Sequence, residues 1–120
     1  MKGEKTNPPD LRERSFAFAL RIVKLCQNLS VASGASRILG YQLLRAGTSI
    51  GANVEEAYGS QSKADFTAKI SIACKEARET HYWLRLLTAS DLIQENSSHR
   101  FPRGIIFPRA EGTRQRYLGF

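Results

Sequence analysis

Apolar and small residues recur at alternating spacings of three and four through Leu39, Leu43, Ala46, Ile50, Asn53 or Val54, and Ala57. That rhythm is the seam of a coiled-coil-like bundle and predicts a helix over residues 35–58. Gly40, Gly47 and Gly51 fall inside it, and each costs about 1 kcal/mol of helix propensity relative to alanine. Close packing of another backbone against the stripe that Gly47 and Gly51 leave bare would offset this through dispersion contacts. The alternative is that one of the glycines breaks the helix.

Two further helices are predicted on either side. Asp10 follows Pro8-Pro9 and suits an N-cap for a helix over 10–29. That helix carries one apolar row at Phe16, Leu20, Val23 and Cys26 and a second at Phe18, Ile22, Leu25 and Leu29, as if it met partners on two sides. Ser33-Gly34 ends it, and Ser33 or Ser36 is the expected cap of the next helix. Ser62 with Asp65 three residues later resembles a capping arrangement that opens a helix over 63–91. Phe66, Ile70, Ala73 or Cys74, Ala77, His81, Leu84 and Leu87 share one face there, with Ile72, Trp83 and Leu86 on a flank. Lys75 with Glu79 is the expected charge pair on its exposed side.

The ends differ from the middle. Residues 1–9 are a polar arm without the apolar stretch of a secretory signal, and no apolar run approaches the roughly 18 residues of a membrane span. No membrane association and a cytoplasmic location are therefore expected. From about Asn96 the helical period stops, and Pro102 and Pro108 forbid a long helix. Residues 10–95 thus read as the helical bundle domain and 96–120 as an irregular basic tail.

Charge follows the same division. The net charge of +7 divides into +3 in residues 1–24 (six basic, three acidic), zero in 25–95 (seven of each) and +4 in 96–120 (five basic, one acidic). The bundle itself is neutral. Arg12, Arg14, Arg21 and Lys24 spread along the first helix and, with Arg45, are the candidate phosphate contacts. Arg12 and Arg14 are two apart and Arg21 lies two turns on, so no single tight stripe is expected.

Other chemistry finds little footing. Carboxylate-bridged metal bundles need Glu-x-x-His, which does not occur; Glu79 and His81 are two apart. The Gly47-Thr48-Ser49-Ile50-Gly51 stretch lacks the lysine of a phosphate loop and does not follow a strand. Cys26 and Cys74 lie within apolar patterns and read as core residues. No metal, no cofactor and no enzymatic activity are expected.

The segments Glu13 to Phe16, Val23 to Cys26, Gln42 to Ala57 and Phe66 to Leu87, with Lys75-Glu76-Ala77-Arg78-Glu79-Thr80 and Tyr82-Trp83-Leu84-Arg85-Leu86-Leu87, occur in order. They resemble the bacterial four-helix-bundle proteins encoded in intervening sequences of large-subunit ribosomal RNA genes, over about residues 10–95. A more distant similarity is to the accessory protein of diversity-generating retroelements. The resemblance implies an all-α, up-down-up-down bundle that assembles into a homo-oligomer, a pentameric ring where the fourth helix is intact. It implies no enzymatic activity, and binding of structured RNA or DNA through basic surface.

By the same resemblance Gly47, Gly51 and Asn53 belong to a tight helix contact, and helical spacing makes Ala57, Ile70, Cys74, Ala77 and Leu84 further packing positions. Arg45, Glu55, Glu56, Lys75, Glu76 and Arg85 are polar members of the motifs. The family's fourth helix is missing or atypical here, and a reading-frame disruption near residue 96 would account for that. Two functions are expected in competition: a nucleic-acid-binding accessory protein, or a structural bundle that docks other protein.

Overall fold

The computed structural model of the chain describes residues 10–32 and 34–93. The expected arm at 1–9 and tail at 96–120, with the fourth-helix position, lie outside the described residues. Among the described residues three helices run in order: α1 (Leu11–Ser30), α2 (Ala35–Tyr58) and α3 (Lys63–Ala89). The fold is all-helical, with ends within a residue or two of those expected from periodicity.

Local chemistry sets each boundary. The Asp10 carboxylate accepts from the Glu13 amide at 2.9 Å and starts α1. The Ser62 hydroxyl accepts from the Asp65 amide at 3.0 Å and starts α3. The start of α2 departs from expectation. Its cap is Gly34, at φ 66° and with no side-chain hydrogen bond, so Ser36 does not cap the helix. A positive φ suits glycine, which turns the chain sharply without a capping oxygen. α2 then runs unbroken past Gly40, Gly47 and Gly51, which removes the alternative of a glycine break.

α3 ends in a Schellman turn. Asp91 takes a left-handed φ of 57°. The Leu92 amide donates to the Leu87 carbonyl at 3.0 Å, and the Asp91 amide to Thr88 at 3.1 Å.

α2 packs against both neighbours, whereas α1 and α3 do not pack directly on each other. Both pairings are antiparallel: Gly40 meets Leu29 and Gly47 meets Ile22 on one side, while Arg45 meets Glu76 and Glu56 meets Lys69 on the other. Leu43, Ala46, Ile50, Val54 and Ala57 of α2 form the centre of the core. Phe18, Ile22, Leu25 and Leu29 join them from α1, and Ile70, Ala73, Ala77, Leu84 and Leu87 from α3. At roughly 1.5–3 kcal/mol for a fully buried large aliphatic side chain, this layer supplies most of the drive to fold.

The glycines are not equivalent. A Cβ on Gly47 would sit 2.8 Å from Ile22 Cγ2, and one on Gly40 would sit 2.8 Å from Leu29 Cβ. One on Gly51 would meet nothing nearer than the Ser15 carbonyl oxygen at 3.4 Å. The two intimate backbone approaches are therefore at Gly40 and Gly47, seven residues and two turns apart.

Candidate interaction surface on the first helix

Only one of the two apolar rows of α1 is buried throughout. Phe18, Ile22, Leu25 and Leu29 face α2 and the core, joined by Cys26. Phe16, Leu20 and Val23 are exposed by 62, 47 and 38%. The expected contact on a second side is therefore not made among the described residues. At offsets of four and three these three side chains form one apolar stripe on the outer surface. Beside it runs a shallow hollow of about 290 Å³ between α1 and α2, lined by Arg12, Phe16, Ala19, Thr48, Ala52 and Glu55 among others. Small residues on α2 make its floor, because Ala52 and Gly51 leave room where larger side chains would fill it.

The candidate cations divide into two kinds. Arg12 forms an ion pair with Asp10 at 3.2 Å, and its guanidinium carbon lies 4.5 Å from the Tyr58 ring centroid. Tyr58 in turn meets Phe66 edge-on, with centroids 5.7 Å apart. The Asp10 carboxyl is held below its ordinary range, first by the Glu13 amide and then by Arg12. Arg45 is likewise engaged. Its Nη1 donates to Glu76 at 3.5 Å, its Nη2 to Glu79, and its Nε to Gln42 at 3.3 Å. Glu79 also accepts from the Trp83 indole at 3.2 Å.

Arg14, Arg21 and Lys24 are distinguished by lying along one line of α1. Arg21 and Lys24 are exposed and Arg14 is half-buried. Offsets of seven and three put them along one line of α1, about 10.5 and 4.5 Å apart along the axis.

The expected Lys75–Glu79 pair gives way to the cross-helix contact. Glu79 turns toward α2 because a bidentate-capable guanidinium and an indole donor sit there together. Nothing local to α3 signals that choice. Glu56 finds Lys69 at 2.9 Å, and that pair raises the lysine pKa.

The packing candidates occupy varied positions. Gly47, Gly51, Ala57, Ile70, Cys74, Ala77 and Leu84 are all buried. Asn53 is half-buried, and its amide donates to the Ser49 carbonyl of its own helix at 2.8 Å. Phe66 stands at the edge of the core rather than in it, 36% exposed. Thr80 is wholly buried although its side chain is polar, because its hydroxyl donates back to the Glu76 carbonyl at 2.7 Å. The Cys26 thiol is buried and donates to the Gly40 carbonyl at 3.5 Å. Burial pushes its pKa up to about 11, and burial raises that of Cys74 too. Neither is a ready nucleophile.

Among the described residues there is no group of three metal-capable side chains. No described helix is long and apolar enough to cross a membrane.

Fold and surface together define an α-helical bundle whose distinguishing features are a glycine-lined helix contact and an apolar-basic outer helix. The chain belongs to the 23S rRNA-intervening sequence protein family, whose sequence profile matches residues 10–105. The match reaches ten residues past the 95 where the resemblance was expected to end. A crystal structure of a protein of unknown function from the S23 ribosomal protein family of Bacteroides thetaiotaomicron VPI-5482 is similar. It shares 42% identity over 75% of this chain and 82% of its own, with a TM-score of 0.68. No curated protein matches the chain.

Proposed function

We propose that this protein is a non-enzymatic accessory bundle that binds structured RNA or DNA through the outer face of α1, as a homo-oligomer without cofactor. The observation that supports this is the line of Arg14, Arg21 and Lys24 along α1. Contacts of this kind read phosphate spacing and not bases, so binding is tolerant of sequence and sensitive to salt. In a homo-oligomer each subunit repeats the line, and modest basic surface gains strength by avidity.

The test is titration of a mixed RNA and DNA pool at two salt concentrations, comparing the natural chain with Arg21→Ala/Lys24→Ala and with Arg45→Ala. Loss of two phosphate contacts per subunit lowers the salt slope by about 1.8 on duplex DNA. Arg45→Ala leaves it unchanged. Retention that shows no salt dependence overturns the reading.

The exposed row Phe16, Leu20 and Val23 favours a second reading, a structural bundle that docks other protein. Three large apolar side chains in one line on a helix surface mark an interaction site more often than they mark chance.

A further inference from the structure

We propose that the outer face of α3 holds an unpaired nucleotide of the bound RNA or DNA, with its base stacked on Tyr82. The inference rests on the nucleic-acid reading above and adds to it a second helix and a class of substrate, strands that carry unpaired bases. Lys75, Arg78, Tyr82 and Arg85 follow one another at offsets of three, four and three. At about 100° per residue they fall within roughly 80° of one another around the helix. All four are exposed, Tyr82 by 53%. The ring therefore stands between two guanidinium groups, about 6 Å along the axis from Arg78 and about 4.5 Å from Arg85.

The carboxylates of α3 lie off this face. Glu76 and Glu79 turn toward α2, where Arg45 donates to both, and Asp65 sits back in the first turn. The same contacts hold the ring in place. Trp83 packs against Tyr82, with ring centroids 5.1 Å apart and planes at 67°. The Trp83 indole donates to Glu79 at 3.2 Å, and Glu79 is itself held by Arg45. A tyrosine braced in this way loses little freedom on binding, so stacking a base on it costs little entropy. Paired bases keep their faces covered by their neighbours, whereas an unpaired base offers a face to an aromatic ring. Arg78 and Arg85 then meet the phosphates on either side of the stacked nucleotide. Arg45 touches no nucleic acid here; it positions Tyr82 through Glu79 and Trp83.

Trp83 is the only tryptophan of the chain, and its contact with Tyr82 makes it the reporter. The full chain is titrated with a blunt, fully paired duplex and with the same duplex carrying a run of unpaired adenines, each made in RNA and in DNA. The probe with unpaired adenines binds about tenfold more tightly and quenches Trp83 emission, and the paired duplex binds without quenching. Tyr82→Ala removes the preference and the quench, Tyr82→Phe keeps both, and neither changes the helical content seen by circular dichroism or the affinity for paired duplex. Arg45→Ala lowers the preference to about threefold and has no effect in a Tyr82→Ala background, which a general loss of stability would not spare. A preference held in only one sugar upholds the site and says which nucleic acid it serves. Salt-dependent binding of both probes with neither preference nor quench overturns the stacking site and leaves the α1 reading standing. A preference that survives Tyr82→Ala does the same. No binding of any probe overturns both.

Discussion

An alanine methyl at Gly47 would lie 2.8 Å from Ile22 Cγ2 and 2.9 Å from Cγ1, closer than folded side chains tolerate. The backbone of α2 is thus a contact surface in its own right, and the isoleucine of α1 rests on it. Gly47→Ala forces Ile22 or a whole helix to move. Overpacking typically costs about 1–3 kcal/mol, against about 1 kcal/mol returned as helix propensity. Urea unfolding of Gly47→Ala shows net destabilisation, whereas Gly51→Ala, with its nearest contact at 3.4 Å, is neutral or more stable.

Arg45 joins α2 to α3 through Glu76 and Glu79, with side chains between 15 and 38% exposed. Arg45→Ala leaves two carboxylates three residues apart without their shared cation. The expected loss is about 0.5–1 kcal/mol, shrinking as salt is added. A double-mutant cycle with Glu79→Gln measures the coupling, and an absent coupling refutes the cross-helix pair.

Much of this fold was legible along the chain. Asp10 and Ser62 are helix caps by residue type and position, and the three-and-four rhythm located all three helices. What escaped the sequence depends on register between helices. Arg45 lies 31 and 34 residues from its glutamates, so the nearer Lys75 seemed the obvious partner for Glu79. Gly34 took the place of a serine cap because the turn needed a positive φ. Thr80 hid its hydroxyl against its own helix and entered the core. Arg12 likewise sits among the cations of α1 in sequence but folds over Tyr58.

Acid destabilises the fold through His81. Burial, and then the Arg85 charge, hold its pKa below the reference value of 6.5. Above that pH both folded and unfolded chains carry neutral imidazole. As pH falls below it the unfolded chain takes the proton first, so stability declines with falling pH. Chemical unfolding at pH 7.5 and 5.5 shows this decline, and His81→Gln makes it shallower; an unchanged slope refutes the assignment.

Asp91 holds a left-handed conformation, with φ 57°, at the end of α3. Glycine adopts it without the steric penalty of about 1–2 kcal/mol that a Cβ brings. Asp91→Gly therefore raises the midpoint of thermal unfolding, offset in part by the freer unfolded chain. A lower midpoint would contradict the turn.

The claim that α2 is a buried strut meeting α1 backbone to side chain is tested most directly by a cycle joining Gly47→Ala with Ile22→Ala. Ile22→Ala alone opens a cavity worth about 2–5 kcal/mol. The methyl that clashes in the natural chain then has room, so the double variant is at least about 1 kcal/mol more stable than the sum of the singles predicts. Two losses that simply add would mean that these residues do not touch, and the helix contact described here would be wrong.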